Sequence, residues 1–194
     1  MDPLYAKTTI VLAWILMGII RAGPKMRAFT GTAAKRKKSS AIEYGILLLA
    51  FCFCLLPFIW LFSSALSFAD YVLHPFALVG GAVIMASGCW LLYRTHADLG
   101  RNFSYTLEIQ EKHELVTEGI YRHIRHPMYS SFLVFATGHA LVVPNYIAGP
   151  AIAVAFIPLI ANRLGAEERM MTEEFGDKYT EYCRHTKFLI PGVY

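Results

Sequence analysis

The stretch Ile42 to Leu66 reads IEYGILLLAFCFCLLPFIWLFSSAL, and its only charge is Glu43 near the start. Such a run is long enough to cross the roughly 30 Å hydrocarbon core of a bilayer with some tilt. In that medium backbone polar groups must find partners within the segment, so the run has to be helical. Pro57 removes one internal hydrogen bond and is expected to kink it. Composition agrees: hydrophobic residues make up 56% and charged residues 16% of the 194 positions, against an apolar share of about 45–50% in soluble domains.

Four further apolar runs follow the same logic. Residues 4–20 reach one crossing if Lys7 snorkels toward the interface. Residues 75–93 open with Pro75 at a first helical position and carry Gly80, Gly81, Ala82 and Gly88, which permit close helix contact within or between subunits. Residues 128–143 and 147–163 are separated by Pro144, Asn145 and Tyr146, so they read as a helical hairpin whose arms are each short for a crossing. The expected fold is therefore all-α: one integral membrane domain over residues 1–194, a bundle of five transmembrane helices with spans near 4–20, 42–66, 75–93, 128–143 and 147–163. The region Met1–Ile20 has no basic leader and no small-residue cleavage pattern, so it is expected to be retained as a helix.

Basic residues set an expected orientation. Segment Arg21–Lys38 holds seven Lys or Arg, Arg94–Arg125 five and Arg163–Lys187 five, leaving only Lys7 on the other side. The positive-inside rule then places the N-terminus outside, and puts segments 94–127 and 164–194 in the cytosol. The net charge of +4 is explained by topology and contact with anionic membrane lipids. With no aromatic-basic recognition module beside it, nucleic acid is not an expected partner. The basic piece AAKRKKSS reads as a flexible lipid-facing turn. Cys52, Cys54, Cys89 and Cys183 lack zinc spacing and read as small core residues rather than a disulfide framework.

The chemistry concentrates in LVTEGIYRHIRHPMYSSF, residues 115–132. Pro127 pushes His126 out of helical angles and suits the first turn of the fourth helix. Free N–H groups of that turn, with Arg122 and Arg125 nearby, favour an anionic group. Tyr121 and Tyr129 could wall the same site with ring faces suited to a cation or an adenine. A cofactor bearing an amino-acid moiety meets both demands; interfacial anchoring of the same residues is the plainer alternative. His113, His123 and His126 have no carboxylate or cysteine at ligand spacing, so no metal is expected. Farther on, Arg163 and Glu167 stand four residues apart on one helix face, with Glu168 one step round. They form either an ion pair or, with Arg163 free to act, a fork for a carboxylate at the edge of the apolar region. The last segment is expected to continue the fifth span as a helix with Met170, Met171, Phe175, Tyr179 and Tyr182 on its apolar side and to fold over the cytosolic mouth.

Leu115, Val116, Gly119, Tyr121, Arg125, His126, Pro127 and Tyr129, followed by Arg163, Glu167, Phe175, Gly176, Tyr179 and Tyr182, together resemble the isoprenylcysteine carboxyl methyltransferase family. A looser likeness extends to phospholipid methyltransferases and bacterial and archaeal relatives, and it covers roughly the C-terminal half. The resemblance implies an integral membrane enzyme that uses S-adenosylmethionine without a Rossmann domain, and the chain indeed lacks a strand followed by G-x-G-x-x-G. It implies cofactor contacts from Gln110, His113, Glu114, Leu115, Val116, Tyr121, His126, Pro127, Met128 and Tyr129, with Glu167 closing the pocket between the loop before the fourth helix and the C-terminal helix. It further implies a catalytic pair, Arg163 holding the acceptor carboxylate and Glu167 beside it. The implied partners are a lipid-modified substrate such as a C-terminal isoprenylcysteine and the membrane lipids around it; oligomeric state stays open. Alternatives are N-methylation of a phospholipid amine, with Glu167, Glu168 or His123 as proton acceptor, a nicotinamide-dependent sterol-reductase-like enzyme, and a membrane scaffold without activity.

Overall fold

Six α-helices carry the architecture in the computed structural model, which describes residues 3–28, 41–100 and 115–189. They are α1 (Pro3–Ala28), α2 (Ala41–Phe62), α3 (Pro75–Leu99), α4 (Pro127–Val142), α5 (Ala148–Phe175) and α6 (Asp177–His185). Among the described residues the only β pairings are two isolated bridges. Four helices, at Pro3–Gly23, Glu43–Phe62, Pro75–Leu99 and Ala148–Phe175, are long and apolar enough to cross a bilayer, and their lipid-type faces show large exposed side chains such as Leu12, Leu48, Phe51, Val83 and Trp90.

α4 is short for a crossing, as expected for an arm of the hairpin. Its 16 residues extend about 24 Å at 1.5 Å per residue, short of the hydrocarbon thickness. It runs instead along α3 as the most enclosed helix. Glycines make that approach possible: a Cβ at Gly138 would sit 2.6 Å from Gly81 O and from Met85 N, and one at Gly88 would sit 2.8 Å from Phe135 N. Because Gly81 meets Val142 while Gly88 meets Phe135, the two helices are antiparallel. Gly80, expected to share this role, has open space around it.

Helix ends differ from the expected boundaries for local reasons. α1 and α3 run on to Ala28 and Leu99, and α3 takes Arg94, His96 and Asp98 into its last turns before Gly100 ends it at φ 55°. α2 stops at Phe62 rather than Leu66. There Ser63 Oγ donates to Ile59 O and accepts from Ala65 N, side-chain bonding that competes with helix propagation. Gly176, at φ 51°, divides the expected long C-terminal helix into α5 and α6. Cys52 is exposed, a correction to its reading as a core residue; Cys89 is buried. Position 52 faces away from the neighbouring helices, on a helix whose apolar side chains are mostly exposed.

One end of the bundle is closed by a polar knot between the α2–α3 and α4–α5 connections. Asp70 accepts from Trp60 Nε1 at 2.9 Å and Asn145 Nδ2 at 2.7 Å. Asn145 Oδ1 accepts from the N–H groups of Ile147 and Ala148, supplying partners at the start of α5. Tyr71 N donates to Pro144 O and Tyr146 N to Ala69 O. Lys7 donates to Leu61 O and lies 5.5 Å from the Trp60 ring centre.

Candidate active site

The opposite end gathers three pieces of chain. The first is the 3-10 turn Gly119–Arg122 and the residues leading into α4. The second is the part of α5 around Arg163–Glu168. The third is α6 with the strap that follows it. The strap lies along the pre-α4 segment: Arg125 N donates to Lys187 O, His126 N to Phe188 O and Ser130 Oγ to Leu189 O. Lys187 and Ile124 form a parallel bridge. The last segment does fold back over this end, through residue 189.

His126 sits at the centre, 8% exposed, between two carboxylates. Its Nε2 is 2.6 Å from Glu168 Oε1 and its Nδ1 3.6 Å from Glu167 Oε2. Burial opposes charge on the ring, but hydrogen bonds to and charge from Glu167 and Glu168 outweigh it and raise the pKa. The protonated ring can donate from both nitrogens at once. Tyr129 donates to Glu167 Oε1, and Tyr179 donates to Glu168 Oε1 at 2.5 Å. Burial, then the hydrogen bond and charge of Glu168, push the Tyr179 phenol up, so it remains a neutral donor. Arg125 approaches the same carboxylate at 3.7 Å, donates to Cys183 O and lies over the Phe188 ring.

Arg163 comes level with Tyr129 because α4 and α5 form a hairpin; Tyr129, Ile160 and Leu164 pack in one cluster with Phe132 and Phe156 beside it. Arg163 follows Ile160 and precedes Leu164, both packed against Tyr129, so its guanidinium bears on the Tyr129 phenol. The direct Arg163–Glu167 ion pair that their spacing allows is not among the ion pairs of the described residues; Glu167 accepts from Tyr129 instead. Arg163 Nε is buried and has no hydrogen-bond partner among the described residues. A buried donor without an acceptor is costly, so this position suits a ligand oxygen.

The structure therefore brings Tyr121, His126, Pro127, Tyr129, Arg163 and Glu167 to one end of the bundle. Tyr121, His126, Pro127 and Tyr129 are buried, while Met128, Leu115 and Val116 are half-buried on the same stretch. Gln110, His113 and Glu114 lie outside the described residues. Sequence reasoning left the roles of Glu167 and Glu168 undivided and passed over Asp98. Glu168 holds His126 more closely than Glu167 does, a distinction that adjacency in sequence conceals. Asp98 accepts from Ile120 N at 2.8 Å across 22 residues of sequence, a contact with no local signal. No group of three His, Cys, Asp or Glu side chains among the described residues is arranged to hold a metal ion.

The sequence model of a family described as phospholipid methyltransferase matches residues 76–178, a span that takes in α3 after Pro75, the pre-α4 segment, α4 and α5. Protein-S-isoprenylcysteine O-methyltransferase B of Arabidopsis thaliana is 38% identical over 96 residues, covering 48% of this chain and 49% of that protein. Protein-S-isoprenylcysteine O-methyltransferase of Homo sapiens is 28% identical over 117 residues, 59% of this chain and 41% of that protein. The match thus spans about half of these relatives' length. A solved structure of a eukaryotic intramembrane Ras methyltransferase, isoprenylcysteine carboxyl methyltransferase, superposes with a TM-score of 0.56 at 23% identity, covering 80% of this chain and 55% of that one. At that identity the likeness speaks for a shared fold.

Proposed function

The chain belongs to the phospholipid methyltransferase family, and from that premise we propose that it transfers a methyl group from S-adenosylmethionine to the carboxylate of a lipid-modified substrate such as a C-terminal isoprenylcysteine. One observation carries the reading: Arg163, with a buried Nε lacking a partner, stands beside Tyr129 in the same cluster as His126, Glu167 and Glu168. The relatives named above act on prenylcysteine by their names.

The residues fit such a donor and such an acceptor. Bound S-adenosylmethionine would supply an electrophilic methyl on a positively charged sulfur. Glu167, Tyr121, His126 and Tyr129 would hold it, together with Leu115, Val116, Pro127 and Met128 and with Gln110, His113 and Glu114 from the preceding loop. The planar guanidinium of Arg163, whose buried Nε has no hydrogen-bond partner among the described residues, favours a carboxylate acceptor.

A carboxylate with pKa near 3.5 is ionised at neutral pH, so no proton need be removed. Methyl passing from sulfur to the acceptor oxygen would cancel the opposite charges of the two reactants. Such charge neutralisation is favoured where water is excluded, and Phe132, Phe156 and Phe188 line the cluster. Arg163 orients the acceptor oxygen, and Tyr129, tied to Glu167, packs against Ile160 and Leu164 on the same stretch of α5. Orientation alone can supply about 7–11 kcal/mol of barrier lowering at best. N-methylation of a phospholipid amine is favoured by the family description but would need a free base. Glu167 and Glu168 already accept from Tyr129, His126 and Tyr179, and His123 is exposed at the end of the 3-10 turn.

The protein is an integral membrane protein with four apolar helices of crossing length. The proposal places the active site at the cytosolic face, the N-terminus outside, and the lipid tail of the acceptor among the bilayer chains beside α4 and α5. The test is incorporation of labelled methyl from S-adenosylmethionine into N-acetyl-S-farnesylcysteine, phosphatidylethanolamine and total lipid in parallel. Label in the farnesylcysteine as a base-labile ester supports the reading. Label confined to phosphatidylethanolamine replaces it with amine methylation, and none in any acceptor rejects both.

A further inference from the structure

Tyr121 reaches the site only because its turn is held from two helices. The turn Gly119–Arg122 is a single loop of 3-10 helix, too short to fix itself. On one side Asp98, in the last turn of α3, accepts the Ile120 N–H at 2.8 Å. On the other, Tyr182 of α6 donates to Tyr121 O at 2.6 Å. The dipeptide Ile120–Tyr121 therefore has its amide and its carbonyl clamped by side chains from opposite directions.

The α3 half of the clamp is built with some care. Asp98 is 15% exposed and is itself held by Arg94 one helical turn earlier, whose Nη2 lies 3.1 Å from Oδ1 and 3.4 Å from Oδ2. Gly119 adopts φ 61°, and a Cβ there would lie 2.4 Å from Asp98 Oδ2. Both the left-handed angle and the close approach select glycine. The Tyr121 ring, 9% exposed, lies within electrostatic reach of Glu167 and of Asp98 itself.

We infer that Asp98, braced by Arg94, is a positioning residue that sets affinity for the methyl donor by fixing the turn that carries Tyr121. It touches neither reactant. Its effect falls on donor binding, because the turn it holds carries Tyr121, six residues ahead of Pro127, while Arg163 stands on α5. The inference rests on the proposed function, and its test separates the two.

The experiment uses the full chain in lipid nanodiscs, with S-adenosylhomocysteine binding followed by calorimetry and steady-state methyl transfer to N-acetyl-S-farnesylcysteine. Asp98→Ala should weaken S-adenosylhomocysteine binding and raise the KM for S-adenosylmethionine by about tenfold, the order expected when one hydrogen bond to a charged group is lost. Its kcat and its KM for the farnesylcysteine should stay within about twofold. Asp98→Asn keeps an oxygen for the Ile120 N–H and should restore affinity to within about threefold of the parent. Gly119→Ala should reproduce the Asp98→Ala defect, and the double variant should lose little more than either alone. The inference is overturned if Asp98→Ala leaves donor affinity unchanged, if both substrates' KM values rise together, or if Asp98→Asn is as impaired as Asp98→Ala. If the parent chain neither binds S-adenosylhomocysteine nor transfers methyl, the proposed function falls and the role of Asp98 falls with it.

Discussion

Both ends of the bundle are sealed by a network around carboxylates, exposed Asp70 at one end and half-buried Glu167 and Glu168 at the other, and the two networks are satisfied to different degrees. At the α2–α3 end Asp70 and Asn145 tie two connections together, and each of their polar atoms described above meets a donor or acceptor across those loops or on Trp60. At the α4 N-terminal end two carboxylates, an imidazole, two phenols and two guanidiniums converge, and the Nε atoms of Arg125 and Arg163 are left without hydrogen-bond partners. The Asp70–Asn145 network holds a fold. Under the proposed function the unpaired donors of the other end cost stability that a bound ligand would restore.

Breaking each network should give different signatures. The largest effect is expected from Glu168→Ala, which strands His126, Tyr179 and Arg125. Losing the shared partner of a largely buried cluster costs about 2–4 kcal/mol, so the melting temperature should drop by several degrees and methyl transfer should vanish. A variant with parental activity would show that the cluster is not the site.

Asn145→Ala should come next, costing about 1–3 kcal/mol from the lost cap of α5 and the lost bonds to Leu66 O and Asp70, which keeps Trp60 as a donor. Protein that remains folded should keep parental KM values for both substrates. A selective loss of donor affinity would erase the distinction between the two ends.

The smallest effect is a pH dependence. His126 has a raised pKa in the folded protein, so the stability it contributes is fully present below its unfolded value near 6.5 and is lost as pH rises through the folded value. The melting temperature should therefore decline on going alkaline from about pH 6.5, with a slope no greater than about 1.4 kcal/mol per pH unit for one proton. His126→Gln should flatten that decline. A stability that rises with pH over this window would mean that the ring is buried neutral.

The fold was legible where physics is local. Apolar runs gave the helices, Pro127 marked the start of α4, and the run through Arg163 into a polar helix was expected and is seen as α5. α4 was harder: its 16 residues are enclosed by neighbours, so its apolarity reflects protein packing as much as lipid. Gly176 reads in sequence as a weak helix position, whereas its positive φ makes it a boundary between α5 and α6. In the site, proline and aromatic spacing pointed to His126 and Tyr129 because both belong to one helix start. Which of Glu167 and Glu168 faces which partner depends on the docking of α6 through Tyr179, and the Asp98–Ile120 bond depends on the end of α3 meeting the pre-α4 turn. Neither is encoded in a local pattern.

The central claim is that Arg163 acts on the acceptor while the surrounding cluster binds the donor. Arg163→Lys keeps the charge and removes the planar fork. Measured side by side, its rate of methyl transfer to N-acetyl-S-farnesylcysteine should fall by about 10- to 100-fold while its affinity for S-adenosylhomocysteine stays within about threefold of the parent. Equal losses of rate and affinity, or none in either, would contradict the account.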